Sequence, residues 1–171
     1  MNLYEPFQFL TTEECDEIIS YADSQTKKQG TVKNYNRYAG VRNNRIVWYK
    51  DSSKWQNWID LFNTIDHKID WIQTPQIAFY SPGEKYDWHV DQSPSQRTHQ
   101  RLWTLTCELQ SAPGGKIELK GIQHNNLHKG EAIIFPSTDQ HRATSPTQGQ
   151  RISLTIWAMT KNYHRVDKHT I

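Results

Sequence analysis

Tyr80-Ser-Pro-Gly83-Glu-Lys-Tyr86-Asp-Trp-His89-Val-Asp91 decides how the remainder of the chain is read. Pro82-Gly83 on one side and Pro94 on the other bound a short segment containing Tyr86, Trp88 and Val90, residues that favour an extended backbone. In an extended segment His89 and Asp91 leave the same face, so two metal-capable groups point one way. With eight histidines in the chain a His-x-Asp triplet arises readily by chance, so the pair acquires meaning only from partners elsewhere.

Around this stretch the pattern is that of strands. Gln76 to Ser81, Tyr86 to Val90, Leu102 to Leu109, Lys116 to Lys120, Glu131 to Phe135 and Arg151 to Met159 are rich in β-branched, aromatic and aliphatic residues, and Gly, Pro, Ser or Asn clusters separate them. Short strands at near-regular spacing predict a mainly β fold, an antiparallel sandwich or a jelly roll (double-stranded β-helix), over about residues 75–160. Upstream, Thr11 and Glu14 form a capping-box pattern, with Cys15, Ile18, Ile19 and Ala22 on one stripe and Leu10 placed to staple onto Cys15. Arg45 to Tyr49 reads as a short strand. Ser53 with Gln56 opens a second helix carrying Trp55, Trp58, Ile59, Phe62 and Ile65 on one side. Between these elements Thr26 to Asn44 is polar and basic, with Tyr35 and Tyr38 among Lys27, Lys28, Lys33, Arg37 and Arg42, and reads as a long loop or irregular hairpin. No repeat or linker divides the chain, so 1–171 is expected to be one domain, with 1–74 as helical and lid elements supporting the β core.

A chain of 171 residues is long enough to bury a sizeable core without disulfides. Cys15 sits in a helical pattern and Cys107 in a strand pattern, which predicts two buried free thiols and a reducing, cytoplasmic setting. Net charge is +2 with 22% charged residues, so no global basic field argues for nucleic acid. No apolar run approaches the roughly 18 residues of a membrane span, and no charged-then-apolar leader opens the sequence, so neither membrane insertion nor export is expected.

The partners of His89 and Asp91 come from far along the chain. Gly130-Glu-Ala-Ile-Ile-Phe-Pro136 is a buried strand ending in a turn, and His141 follows fifty residues after Asp91. Arg151 and Ser153 lie on one face of the last strand, ten residues further on. Two histidines and one carboxylate make a facial triad that suits Fe(II) with positions to spare for a co-substrate and dioxygen. A guanidinium is a planar fork matched to a terminal carboxylate, with the Ser153 hydroxyl beside it. His124 and His128 mimic a metal pair, but Asn125-Asn126 between them reads as an exposed turn.

The ordered set Tyr80, Gly83, Tyr86, His89, Asp91, His141, Arg151 and Trp157 resembles the 2-oxoglutarate- and Fe(II)-dependent oxygenases, in their prolyl 4-hydroxylase-like branch. Gly114-Gly115 before Lys116 to Leu119, and Gly130 to Pro136, resemble that family's glycine-led strands. The resemblance implies that His89, Asp91 and His141 hold Fe(II) and that Arg151 clamps the distal carboxylate of 2-oxoglutarate. It further implies that Tyr80 hydrogen-bonds the co-substrate and Ser153 assists Arg151, and that dioxygen is a co-substrate, with ascorbate a candidate reductant. Tyr86, Trp157 and Arg42 would flank the substrate. Val41-Arg42-Asn43-Asn44 resembles the family's Val-Arg-Thr-Ser stretch, with asparagines where hydroxyl residues are expected.

The leading expectation is hydroxylation of an unactivated C–H bond, a peptidyl proline being the best single choice of target. A free amino acid or small molecule is the first alternative. An oxidative nucleic-acid demethylase would use the same metal chemistry and the basic loop from Lys27 to Arg45, but the near-neutral charge weighs against a nucleic-acid partner. A non-catalytic jelly-roll binding module is the third, and the intact His, Asp, His and Arg set weighs against it. Oligomeric state leaves no signature in the sequence.

Overall fold

The computed structural model describes residues 2–30, 41–92 and 98–160. In chain order these residues form β1 (Phe7–Gln8), α1 (Thr12–Asp23), β2 (Lys28–Gln29), β3 (Arg45–Trp48), α2 (Trp55–Asn63) and β4 (Trp71–Ile72). There follow β5 (Gln76–Tyr80), β6 (Tyr86–His89), β7 (Arg101–Gln110), β8 (Ile117–Leu119), β9 (Glu131–Pro136), β10 (His141–Ala143) and β11 (Arg151–Met159). Two antiparallel sheets result. The larger runs β1-β9-β7-β11-β5-β3-β2, with β4 added to β11, and the smaller runs β6-β10-β8. Of the sandwich and the jelly roll that the strand spacing allows, this is the jelly roll, a double-stranded β-helix.

The larger sheet has two chemically different faces because side chains alternate along its strands. Ile77 and Phe79 of β5, Ile152, Leu154 and Ile156 of β11, and Leu105, Cys107 and Leu109 of β7 join one apolar core with the buried faces of α1 and α2. Both cysteines lie within this core as free thiols. The capping box at Thr11 and Glu14 is formed, and Cys15, Ile18 and Ala22 are buried while Ile19 is half-buried. At α2 the expected Ser53 cap is not made: Lys54 occupies the cap position without a side-chain bond. The Ser53 amide donates instead to Asp51 Oδ1 at 3.0 Å, because an Asx turn two residues earlier already captures that donor. Trp58 and Phe62 nevertheless anchor α2 as its apolar spacing predicts.

Strand ends agree with the sequence to within a residue or two, but four strands were not expected. β1, β2 and β4 are two-residue pairings, and β10 is a three-residue strand where only a returning turn is legible. Such short strands have no periodicity of their own, and their partners across the sheet define them. The expected loop from Thr26 to Asn44 therefore begins with β2, paired to β3, while residues 31–40 of that stretch lie outside the described residues. Among the described residues no helix is long and apolar enough to cross a membrane.

The opening stretch has a definite task in this architecture, since β5 belongs to the larger sheet and β6 to the smaller. Ser81-Pro-Gly83-Glu84 carries the chain between them, with the Glu84 amide donating to the Ser81 carbonyl at 2.8 Å and Gly83 at φ 89°. Proline followed by a positive-φ glycine is the signature of a type II turn. A side chain at Gly83 would be strained by that φ even though nothing lies within 4 Å of the added Cβ.

Candidate active site

The smaller sheet brings three candidate metal ligands together. His89 ends β6, His141 begins β10, and the two are directly paired across the strands. Asp91 follows β6 by two residues, and its amide donates to the Ser137 carbonyl at 2.9 Å, which fixes the chain at the mouth of the sandwich. The ligand atoms of His89, Asp91 and His141 lie within 4.8 Å of one another. His141 Nε2 is 3.3 Å from Asp91 Oδ2, and His89 Nε2 is 3.5 Å from Asp91 Oδ1.

Each of the three is oriented by a neighbour. His89 Nδ1 donates to the Asp87 carbonyl at 2.7 Å and His141 Nδ1 to the Asp139 carbonyl at 2.9 Å, the residue two earlier in both cases. A carbonyl only accepts, so Nδ1 carries the proton and the Nε2 lone pair is left for a cation. Thr104 Oγ1 donates to Asp91 Oδ2 at 2.8 Å, and Ser137 Oγ in turn donates to Thr104 Oγ1 at 2.9 Å, both hydroxyls being buried. Tyr86 stacks on the His89 ring at 3.4 Å between centroids and 5° between planes.

The electrostatics follow from close packing of ionisable groups. Burial, then the nearby His141, holds the His89 imidazole below its usual range. Burial also works against the charged forms of His141 and Asp91, but their mutual attraction outweighs it, raising the imidazole and holding the carboxyl well below its ordinary value. Two imidazoles with unprotonated Nε2 atoms beside one ionised carboxylate fit the donor set of a mononuclear Fe(II) centre.

Opposite the triad, the polar face of the larger sheet lines the same cleft, about 420 Å³ including space open to solvent. On β11 alternation places Arg151, Ser153, Thr155 and Trp157 toward it, and the register sets Tyr80, Ala78 and Gln76 of β5 beside the first three. The smaller sheet thus carries the triad, and the larger carries Arg151, Tyr80 and Ser153. Burial pushes the Tyr80 phenol up, and the Arg151 guanidinium lies 5.6 Å from its ring.

Arg151 is not the surface residue that arginine alone suggests; its side chain is 1% exposed. Its Nε donates to both Glu108 oxygens at 3.0 Å, and its Nη2 to Oε2 at 2.9 Å. Glu108 faces Ser153 across the β7–β11 ladder. Burial raises its carboxyl against the opposing pull of Arg151. The fork therefore presents Nη1 and the second Nη2 hydrogen to a ligand carboxylate, with its other edge fixed. Glu108 escaped the sequence reading, although Thr104, Thr106 and Glu108 alternate with Leu105, Cys107 and Leu109. A carboxylate on the polar face of a long central strand requires a buried cation.

The substrate candidates lie on the rim. Arg42 Nε donates to Asn44 Oδ1 at 2.8 Å and Nη2 to Gln76 Oε1 at 2.7 Å, with the guanidinium 4.4 Å over the Tyr86 ring. Asn43 accepts from the Lys85 amide and donates to the Gly83 carbonyl, so this asparagine, standing in for a hydroxyl residue, ties the segment to the β5–β6 turn. Arg101, which the sequence did not single out, lies 3.8 Å over the Trp157 ring. His128 is exposed as expected and His124 is half-buried, and neither joins a metal-competent group among the described residues.

Residues 75–159 match the 2OG-Fe(II) oxygenase superfamily. A PKHD-type hydroxylase of Teredinibacter turnerae is 30% identical over 121 residues, covering 58% of this chain and 54% of the relative. A PKHD-type hydroxylase of Pseudomonas fluorescens is 25% identical over 117 residues, covering 62% and 50%. The chain spans about half the length of the curated relatives it matches. Among solved structures, the viral collagen prolyl hydroxylase of Paramecium bursaria Chlorella virus-1 in its 2OG complex superposes with a TM-score of 0.67 at 22% identity, over 91% of this chain and 95% of that one. A Pseudomonas putida prolyl-4-hydroxylase gives 0.67 at 17% identity, over 91% of each chain. A Trichoplax adhaerens prolyl hydroxylase, in complex with a peptide fragment of the hypoxia inducible factor oxygen degradation domain, gives 0.64 at 16% identity, over 94% and 85%.

Proposed function

Because the chain belongs to the 2OG-Fe(II) oxygenase superfamily, we propose that it is an Fe(II)- and 2-oxoglutarate-dependent hydroxylase of an unactivated C–H bond, with a prolyl residue as its target. The observation that carries this is the meeting, in one cleft, of the His89, Asp91 and His141 cluster with a buried, pre-oriented Arg151. The hydroxylase names of the relatives and the prolyl hydroxylase fold neighbours support the choice of proline.

His89, Asp91 and His141 would hold Fe(II), and Arg151, with Tyr80 and Ser153 beside it, would hold the distal carboxylate of 2-oxoglutarate. When bound, Fe(II) and 2-oxoglutarate with dioxygen supply the oxidising chemistry: the keto acid leaves as succinate and CO2, and the substrate C–H becomes C–OH. The chain's own part is positional. The Asp87 and Asp139 carbonyls keep both imidazoles in the tautomer that exposes Nε2, and Thr104 holds the carboxylate between them. Glu108 locks the Arg151 fork in one orientation, so a carboxylate meets fixed donors and little rotamer entropy is lost on binding. Tyr86, Trp157 and Arg42 form the wall against which substrate rests, and their apolar faces exclude water. One domain over 1–171 and a cytoplasmic setting belong to the same reading, while residues 31–40 of the expected lid from Thr26 to Asn44 lie outside the described residues.

The test is mass spectrometry of candidate peptides incubated with protein, Fe(II), 2-oxoglutarate and ascorbate. The reading requires a product about 16 Da heavier on proline, the mass of one oxygen inserted, with stoichiometric succinate, absent in Asp91→Ala. Formaldehyde release from a methylated base, with no prolyl product, would replace it by the demethylase reading.

A further inference from the structure

Five arginines lie among the described residues, and three of them are paired with carboxylates: Arg45 with Glu84, Arg142 with Glu118 and Arg151 with Glu108. The other two, Arg42 and Arg101, stack on two rings that line the cleft, Tyr86 and Trp157. Among the described residues Arg42 has only amide oxygens and the Tyr86 ring as partners. Arg101 has the Gln73 amide oxygen at 2.9 Å, the Asp91 backbone carbonyl at 3.3 Å and the Trp157 ring. The two guanidiniums feel each other, and the carboxylate whose field reaches Arg101 is Asp91. In the proposed enzyme that carboxylate is committed to the metal, whose charge the 2-oxoglutarate dianion balances. Outside the described residues the sequence has one acidic side chain, Asp167.

Two half-buried cations without a counter-charge are costly unless an anion arrives, since removal from water weakens their hydration. A second, independent feature lies beneath Arg101. Trp157 lines the cleft and is 5% exposed, yet its Nε1–H is buried without a hydrogen-bond partner among the described residues. Native interiors rarely leave such a donor unpaired, and a ligand acceptor is a standard explanation. Arg42 over Tyr86, Arg101 over Trp157 and the indole N–H thus border one part of the rim, beside the triad.

We infer that the substrate of this enzyme is anionic and presents a carboxylate to Arg42 and Arg101, close to the C–H bond that is hydroxylated. The inference rests on the hydroxylase reading for its notion of substrate, but its own content is the charge. It distinguishes a proline bearing a carboxylate from an internal proline in a neutral peptide. The carboxylate has three sources: the α-carboxylate of a free amino acid, the C-terminus of a chain, or an acidic side chain next to the target residue.

The test uses protein loaded with Mn(II) and 2-oxoglutarate, which binds without turnover, titrated calorimetrically with matched pairs. These are L-proline and L-prolinamide, a Pro-terminated peptide as acid and as amide, and an amidated peptide with internal proline flanked by Asp or by Asn. In at least one pair the carboxylate form should bind about tenfold more tightly or better, the scale of charge-assisted hydrogen bonds. The pair that discriminates identifies the source. In Arg42→Gln/Arg101→Gln the gap should close to less than about threefold, while Arg42→Lys/Arg101→Lys, which keeps the charge, should retain most of it. Equal binding of acid and neutral forms in every pair, or no binding of any acid, overturns the inference. Discrimination by charge without any hydroxylated prolyl product would leave it standing and refute the choice of proline.

Discussion

Arg151→Ala removes one member of a pair whose side chains are 1% and 4% exposed and which shares three N–O contacts of 2.9–3.0 Å. The carboxylate left behind has no second cation at bonding distance among the described residues, so an unpaired charge remains between β7 and β11. Breaking a buried pair in this way costs about 3–5 kcal/mol. With a urea dependence of about 2 kcal/mol per molar, the unfolding midpoint should fall by roughly 2 M. The loss should also depend on pH. Burial already raises the Glu108 carboxyl, and removing Arg151, which opposes that rise, raises it further. A folded-state pKa above the unfolded value means that the native state binds the extra proton, so the variant gains stability as pH falls. Its deficit should therefore be largest near pH 8 and shrink toward pH 5. Arg151→Met with Glu108→Gln removes both charges and should recover much of the loss, giving a coupling of at least about 1.5 kcal/mol. Urea titrations of the parent, Arg151→Met, Glu108→Gln and their double variant at two pH values, alongside 2-oxoglutarate binding, separate the structural role of Arg151 from its role as clamp. A variant that unfolds within about 0.3 M of the parent, with no pH dependence, would refute the buried-pair argument.

Thr104→Val should leave the fold intact and lower Mn(II) affinity about 10- to 100-fold by calorimetry, because Asp91 loses the donor that orients it, while Thr104→Ser should bind almost as the parent does. His89→Ala and His141→Ala should each abolish stoichiometric metal binding, since two ligands do not replace three; retention in both would refute the triad. Thr11→Ala should cost about 1 kcal/mol in urea unfolding, by opening the capping box that starts α1. Gly130 has φ 84° and its added Cβ would strike the Leu10 carbonyl, so Gly130→Ala should cost more than about 1 kcal/mol and loosen the N-terminal segment from β9, read as faster amide exchange at Phe9 and Leu10.

Local chemistry explains what was legible in advance. α1 is fixed by Thr11, Glu14 and one apolar stripe, and β11 by a nine-residue run that alternates correctly from Arg151 to Met159. Helix periodicity, strand alternation and turn residues act over a few positions, so sequence order carries them. His89, Asp91, His141 and Arg151 were likewise found by their order and spacing. The Ser53 cap failed because a competing carboxylate two residues away captured the amide, a contest that residue types alone leave open.

What the tertiary structure decided is everything that depends on who faces whom. β10 exists because β6 and β8 flank it, and that pairing sets His141 directly against His89. The β7–β11 register brings Glu108 opposite Ser153 and into the fork of Arg151, converting an apparently available guanidinium into half of a buried ion pair. Arg101, ten residues past Asp91 and part of no motif, reaches Trp157 across the same ladder. By itself the sequence determined the elements, the double-stranded β-helix they build and the residue types of a metal and carboxylate site. Only the folded chain decided how charges are matched within that site, because pairing depends on distances through space that sequence separation does not encode.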